Sequence, residues 1–474
     1  MDITRAKFKR QFALSMYKNL KIPLGRMTFD KDFVTETQRG DLYPLVNCSA
    51  DCLEMVRENR YTVSRGSAER MIGRFFPYAS YEVRFRANGG NCGFSFHTPT
   101  TKATVLYAGD EIRFSCAEQT ECAVQKAFGD TLIVSCRPGA FDVYCKKNDR
   151  PVLVHTFRSQ DFAHSHSEDV FTGSFVCLAV QGGVSVEYAA FYIDNGISLA
   201  DIRPIRYENG QVMLQEGKLY FTASIRMQEE MFQGVFSWVP GTADIALTGA
   251  LFYDAGDGLW CGDVAASVLY DRRAQQWYVW VCSFNHGHVL AHAAFEGDPR
   301  FGVNVIDVQL MPKAPENDDI RMFAGFSGDE DPDFYYDAQR EKWMMAICRL
   351  DRESRKYRYV FFESDAPFDN YVCIGMGLPG EETGGSFVKI DGKLHFVCGN
   401  AFAKKSDYRI YRSDGMHSAS FDFPDGGFRG WGTVIPVVQC SRTRYYWLTF
   451  DRHNGSDYNW SYGNFYCFEA TERE

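Results

Sequence analysis

The sequence predicts an all-β protein in two parts: an N-terminal β-sandwich domain over residues 1–199 and a five-bladed β-propeller over residues 200–474. Three observations carry this. Between Tyr81 and Ile193 the chain is a succession of short period-two runs cut by Gly, Asn, Asp and Pro. After Pro204 one strand–turn–strand unit recurs five times at spacings of roughly 45 to 70 residues, the size of a four-stranded blade with its loops. Phe, Tyr and Trp make up 15% of the residues, which suits sheets better than a helical bundle.

Residues 1 to about 70 hold the only helix-like patterns, Thr4–Leu20 and Ala50–Glu58, so a helical lead-in is expected there. The runs Tyr81–Ala87, Gly93–Thr98, Glu111–Cys116, Thr131–Cys136, Phe141–Lys146, Pro151–Phe157, Phe175–Val180 and Val184–Ile193 then read as antiparallel sandwich strands. Thr131–Cys136 and Phe141–Lys146 have the look of a concanavalin-like or jelly-roll sandwich. His164 and His166 read as part of a solvated loop. Tyr192–Pro204 reads as the exit, with the boundary near Leu199.

The five repeats are Arg206–Ser224, Trp260–Phe284, Gly328–Met345, Gly380–Asn400 and Gly430–Asp451. Each has an apolar strand, a turn with charge or Gly, then an aromatic-rich strand. A second mark keeps the same period: Ser364-Asp365 and Ser413-Asp414 each follow an outer strand. In a propeller the first strand of every blade lines the central channel, so residues at its mouth converge from distant parts of the chain.

Four repeats carry an acid near their start: Glu208, Asp263, Asp331 with its neighbours, and Glu381 or Glu382; the fifth has Trp431. Folding a strand does not require such a density of like charge. Cleaving a glycoside does: it needs a protonated carboxyl beside the leaving oxygen and an ionised carboxylate opposite. A third carboxylate near the acid raises its pKa by like-charge repulsion. Trp260, Trp431 and Trp460 are candidates to stack on sugar rings. His286, His288 and His292 share strand parity and read chiefly as a polar strand edge, with His288 a candidate substrate contact. Arg452 and His453 are placed to line the mouth at the last blade. Arg452 suits a ligand carboxylate or phosphate.

These repeats resemble those of the five-bladed propeller glycoside hydrolases, closest to families 43 and 32, with the family 130 phosphorylases as runner-up. Asp331–Asp337, DPDFYYD, is similar to the third-blade DPxxFxD, and the resemblance implies that Asp331 tunes the acid's pKa. Glu382, in GEETGGSFVKIDGKLHF, falls at the fourth-blade general acid. The Gly-Pro that follows the acid in the family is missing, so Glu381 stays open. WCGDV resembles the second-blade WAPDV and implies that Asp263 lies near the sugar. Glu208 is the acid nearest the first-blade base, and Trp431 stands near the family's fifth-blade His.

The formal net charge of −10 argues against nucleic acid as main partner. No stretch has the roughly 18 apolar residues of a membrane helix, and the N-terminus lacks the apolar core of a secretory signal. The fifteen cysteines are scattered singly in strand-like runs, as buried thiols in a reducing cytosol would be. Cys48 and Cys52 have no further partners at zinc spacing, and no metal or cofactor is assigned. The expectation is therefore a cytoplasmic glycosidase acting on an oligosaccharide or small glycoside, by inversion. A phosphorylase of the same fold and a non-catalytic carbohydrate-binding protein are the alternatives, and self-association is left open.

Overall fold

The computed structural model describes residues 3, 6–28, 45–57, 60–123, 129–311, 326–351, 354–378, 380, 382–399, 407–420, 432–439, 442–451 and 463–471. The chain falls into two compact units. One is Lys21–Asp194 with Gly258–Trp260; the other is Met1–Leu20 with Asn195–Asp257 and Cys261–Glu474. Among the described residues the one α-helix is Glu168–Gly173, six residues long, and no helix is long and apolar enough to cross a membrane.

The first unit holds two antiparallel sheets, of seven and eight strands. Aromatic rings from the two sheets meet between them. Tyr81 of one lies 5.3 Å from Phe96 of the other, and Phe114 stacks on Phe157 at 5.1 Å. All four side chains are buried. Phe191 stacks on Tyr81, and its ring has room only because residues 25 and 73 are glycines. A Cβ at either would come within 2.2–2.3 Å of the ring.

Among the described residues the helical lead-in expected at the N-terminus is not there. Lys7–Leu14 is a strand, and so is Glu54–Arg57 in the second expected helix. Tertiary pairing decides this, since a short apolar pattern does not separate the two periods. Lys7–Leu14 pairs antiparallel with Phe465–Thr471, and Phe8 packs edge-on against Trp447 at 5.6 Å. The first twenty residues thus belong to the second unit, not to the N-terminal domain.

That second unit contains five sheets, which we number as blades in chain order. Their first strands are Ser198–Pro204, Val264–Asp271, Phe326–Asp337, Thr383–Ile390 and Thr433–Gln439. Antiparallel strands step outward from each; Gly302–Asp307 joins the edge of blade 1 in parallel, Arg206–Tyr207 joins blade 2 in parallel, and blade 5 takes Lys7–Leu14 as its outermost strand. Every first strand touches the first strand of the next blade, and the fifth touches the first, so the ring closes. The Ser-Asp marks stand at the ends of the third strands of blades 3 and 4. Apolar clusters fill the space between consecutive blades; one joins Leu269, Trp280, Phe334 and Trp343.

Candidate active site at the inner-strand bulges

The inner strands of blades 1 to 4 share one irregularity. Pairing with the second strand skips two residues, between Ala200 and Arg203, Val264 and Ser267, Glu330 and Asp333, and Thr383 and Ser386. The first skipped residue always has positive φ: Asp201 +52°, Ala265 +58°, Asp331 +48°, Gly384 +60°. L-residues avoid that region, and Asp tolerates it better than most. A bulge breaks the ladder and re-aims the side chain, which is why bulges cluster beside functional sites.

The bulge fixes which residues are equivalent. Asp201 and Asp331 occupy the same position in blades 1 and 3. Asp263, Asp329 and Glu382 stand two residues earlier, so the acids expected at one matching position belong to two. Bonds between blades confirm the common depth. Gly384 N donates to Asp331 Oδ2 at 2.8 Å. Two residues further in, Ser267 Oγ donates to Asp333 Oδ1 at 2.6 Å, and Arg206 pairs with the same carboxylate. Asp333 has no exposed surface and pins three blades together.

Asp331 is buried, and its proton affinity is unusual. Burial and the charge of Asp201 raise it, Arg203 opposes, Glu330 adds to the rise, and the carboxyl sits at about 7. Arg203 is 1% exposed and donates to the Asp331 carbonyl at 3.0 Å. Asp201 receives Arg226 Nη2 at 3.4 Å. Glu330 is the more accessible acid of this group. It accepts from Tyr357 OH at 3.0 Å, and His288 Nε2 lies 2.9 Å from it. Partial burial lowers the His288 pKa, but Glu330 and the neighbouring aspartates raise it further. In blade 2, Asn285 donates to Asp263 at 3.0 Å, and burial lifts the Asp263 carboxyl above its ordinary range.

Of the other predicted catalytic residues, Glu208 stands elsewhere and Glu382 stands near the bulge but is closed off. Glu208 lies beyond the end of the blade 1 inner strand. Its N–H donates to the Tyr270 carbonyl and its own carbonyl accepts from Tyr336 N, five residues past the bulge in both neighbouring blades. At about 3.3 Å per residue this is roughly 16 Å from Asp331, well outside hydrolase separations. Its carboxylate is clamped by Arg272 at 2.7 and 3.1 Å, which outweighs burial and holds its pKa down. The assignment of Glu208 as base is therefore corrected. Glu382 has no exposed surface. It accepts from Tyr359 N at 3.1 Å, from Arg409 at 2.8 Å and from Tyr411. Burial raises its pKa against those bonds.

Trp260, a candidate sugar platform, has neighbours of its own. It belongs to the first unit, where its ring packs against Phe171 at 4.7 Å and its N–H donates to the His166 carbonyl. The three histidines diverge: His286 bonds Ser283 and Asp257, while His292 stacks on Phe368. Among the described residues no group of three or more His, Cys, Asp or Glu could hold a metal. Glu381, Trp431, Arg452, His453 and Trp460 lie outside the described residues.

In the sequence Glu330 stands out only as a neighbour of Asp331, and Asp201 does not stand out. The signal for Asp201 was displaced. After Pro204 the chain detours, pairing Arg206–Tyr207 with blade 2 before it turns back at Glu216-Gly217. The repeat pattern follows that turn, so the inner strand Ser198–Pro204 has the look of a domain exit.

Five mainly antiparallel sheets in a closed ring define the class: the second unit is a five-bladed β-propeller. No protein-family model matches the chain, and no curated protein matches it. Similar solved structures include a thermostable family-43 glycoside hydrolase, at 14% identity and TM-score 0.37, covering 58% of this chain and 90% of that one. Another is the catalytic domain of a Coprinopsis cinerea GH62 α-L-arabinofuranosidase, at 12% identity and 0.37, covering 57% and 90%. A B. megaterium levansucrase variant matches at 10% and 0.39, covering 58% and 85%. Likeness at this level says nothing about the activity of this chain.

Proposed function

We propose that the propeller is a glycosidase whose reacting carboxylates are Asp331 and Asp201. The observation that carries this is that Asp201 and Asp331 occupy the matching bulge of blades 1 and 3, where burial and the Asp201 charge raise the Asp331 carboxyl to about 7. A group with that affinity is half protonated at neutral pH, which is where a general acid is most effective. Asp331 gives its proton to the glycosidic oxygen as the C–O bond breaks. Water attacks the anomeric carbon and loses its proton to Asp201. Water is consumed, and the two carboxyl groups exchange the proton for the next turnover. Glu330, His288 and Asp263 are read as contacts to sugar hydroxyls.

Glu382 is read as a brace between blades 3 and 4, because Arg409 neutralises it and no surface of it is open. Inversion is retained as the expected stereochemistry. The two sheets of the first unit are read as a concanavalin-like sandwich, on the strength of the aromatic rings that meet between them. Most described cysteines are buried in strands, which supports a reducing compartment such as the cytoplasm.

A screen of nitrophenyl glycosides and short oligosaccharides, with and without phosphate, tests the activity. Hydrolysis lost in both Asp201→Asn and Asp331→Asn supports the reading. Turnover only with phosphate moves it to a phosphorylase. Saccharide binding without turnover moves it to a binding protein.

A further inference from the structure

The first unit has a cavity of its own. It measures about 290 Å³ and lies on the eight-stranded sheet, lined by Lys21, Glu82, Arg84, Tyr188, Phe191 and Tyr192 among others. That is near the lower end of small-molecule pockets, which start at about 300 Å³, and it suits a single sugar ring.

Glu82 is the hub of this cavity. It is 1% exposed and accepts four hydrogen bonds. Lys146 Nζ and Tyr188 OH each reach one oxygen at 2.5 Å. Lys21 Nζ and Tyr192 OH reach the other at 2.8 and 2.7 Å. Burial would raise the Glu82 pKa, but these bonds outweigh it and hold the carboxyl at about 2. Lys21 also lies 3.8 Å from the Tyr192 ring centroid, and the Arg84 guanidinium 4.8 Å from that of Tyr188.

One carboxylate thus holds two lysines and two tyrosines in place. It neutralises only one of the ammonium groups. Arg84 adds another positive charge, offset in part by Glu187 at 4.0 Å and by the field of Asp130. An ammonium has three N–H donors and each lysine gives one to Glu82; the Tyr192 oxygen, with its proton committed, is an acceptor, while the Tyr188 oxygen takes a bond from Arg84. Fixed cationic donors beside a hydroxyl-accepting oxygen and an aromatic wall match a polyhydroxylated ring that carries one negative charge.

We propose that this cavity binds an anionic sugar residue, a ring with hydroxyls and a single carboxylate, sulfate or phosphate. The choice of a sugar rests on the glycosidase reading of the propeller; the cavity itself uses no propeller residue.

Calorimetric titration of the full chain tests it, with glucuronate, glucose 6-sulfate, glucose and inorganic sulfate as probes. Both charged sugars should bind with a Kd of about 1 mM or tighter, weakening as salt rises. Glucose and sulfate alone should bind at least roughly tenfold more weakly. Arg84→Met should cost the charged sugars roughly tenfold, the worth of one charge-assisted bond, and leave hydrolysis of a neutral nitrophenyl glycoside unchanged. Arg84 bonds Tyr188 but not Glu82, so this variant keeps the four bonds to Glu82 in place, whereas Lys21→Met removes one of them and risks the fold. The Asp201→Asn/Asp331→Asn double variant should bind the charged sugars as the parent does. Binding that persists while the glycoside screen is negative would support the cavity and overturn only the glycosidase reading. Absence of binding by both charged sugars, equal binding of sulfate alone, or binding lost in the propeller variant but kept in Arg84→Met would each overturn the proposal.

Discussion

Asp201 and Asp331 stand at the same bulge of two inner strands, blades 1 and 3, and the charge of the first raises the proton affinity of the second. Neither residue is near the other in sequence. The ring of blades brings them to one depth of one channel, and burial there does the rest.

Asp201→Asn removes a negative charge that favours the protonated form of Asp331. The Asp331 pKa should fall from about 7, and the alkaline limb of the pH–activity profile should move to lower pH. An unmoved limb would separate the two residues. Hydrolysis should also fall, by about 10²–10⁴-fold, since the base is lost.

Asp331→Asn should lose about 10²–10⁴-fold on glycosides with poor leaving groups and much less on those with an acidic phenol. Its effect on stability has the opposite sign. A folded pKa of about 7 against an unfolded 3.8 means that the contribution is fully present below 3.8 and is lost as pH rises towards 7. By linkage this amounts to roughly 4 kcal/mol. The variant should therefore lack that decline, and denaturant melts at pH 4 and pH 8 would reveal it.

Glu382→Gln should behave as the loss of a buried brace. Breaking its pair with Arg409 should cost about 3–5 kcal/mol of stability. Turnover should drop equally on good and poor leaving groups. A loss confined to poor leaving groups would transfer the acid role from Asp331 to Glu382.

Glu82→Gln tests the carboxylate hub of the first unit. The Glu82 pKa is about 2 folded and 4.5 in its ordinary state, so its stabilisation is present above 4.5 and disappears as pH falls through 2. The difference is about 3 kcal/mol. Acid titration of the parent should show this loss, and the variant should be weaker at pH 7 with a flatter acid limb.

Phe8→Ala tests the closure of the propeller by the N-terminal strand. Phe8 is buried against Trp447 across blade 5. Truncation should cost about 3–5 kcal/mol, as for other buried aromatics. A change within experimental error in denaturant melts would argue that the strand is dispensable.

The sequence by itself determined the β content and the recurrence of five units, because period-two alternation and turn residues are local properties. It also marked Asp331, where a run of four acids in five residues exceeds anything a strand needs. Only the tertiary structure decided which acids meet. Glu208 and Asp201 are seven residues apart, yet the detour of the chain through blade 2 puts them at different depths of the ring, one clamped by Arg272 and the other beside Asp331's field. Pairing between the chain's two ends likewise overrode the helical look of Lys7–Leu14, because Phe465–Thr471 offered an open edge and Trp447 a surface to cover. Strand register, bulge position and ring closure are long-range, and they assign depth and burial to a side chain, which its neighbours in sequence cannot do.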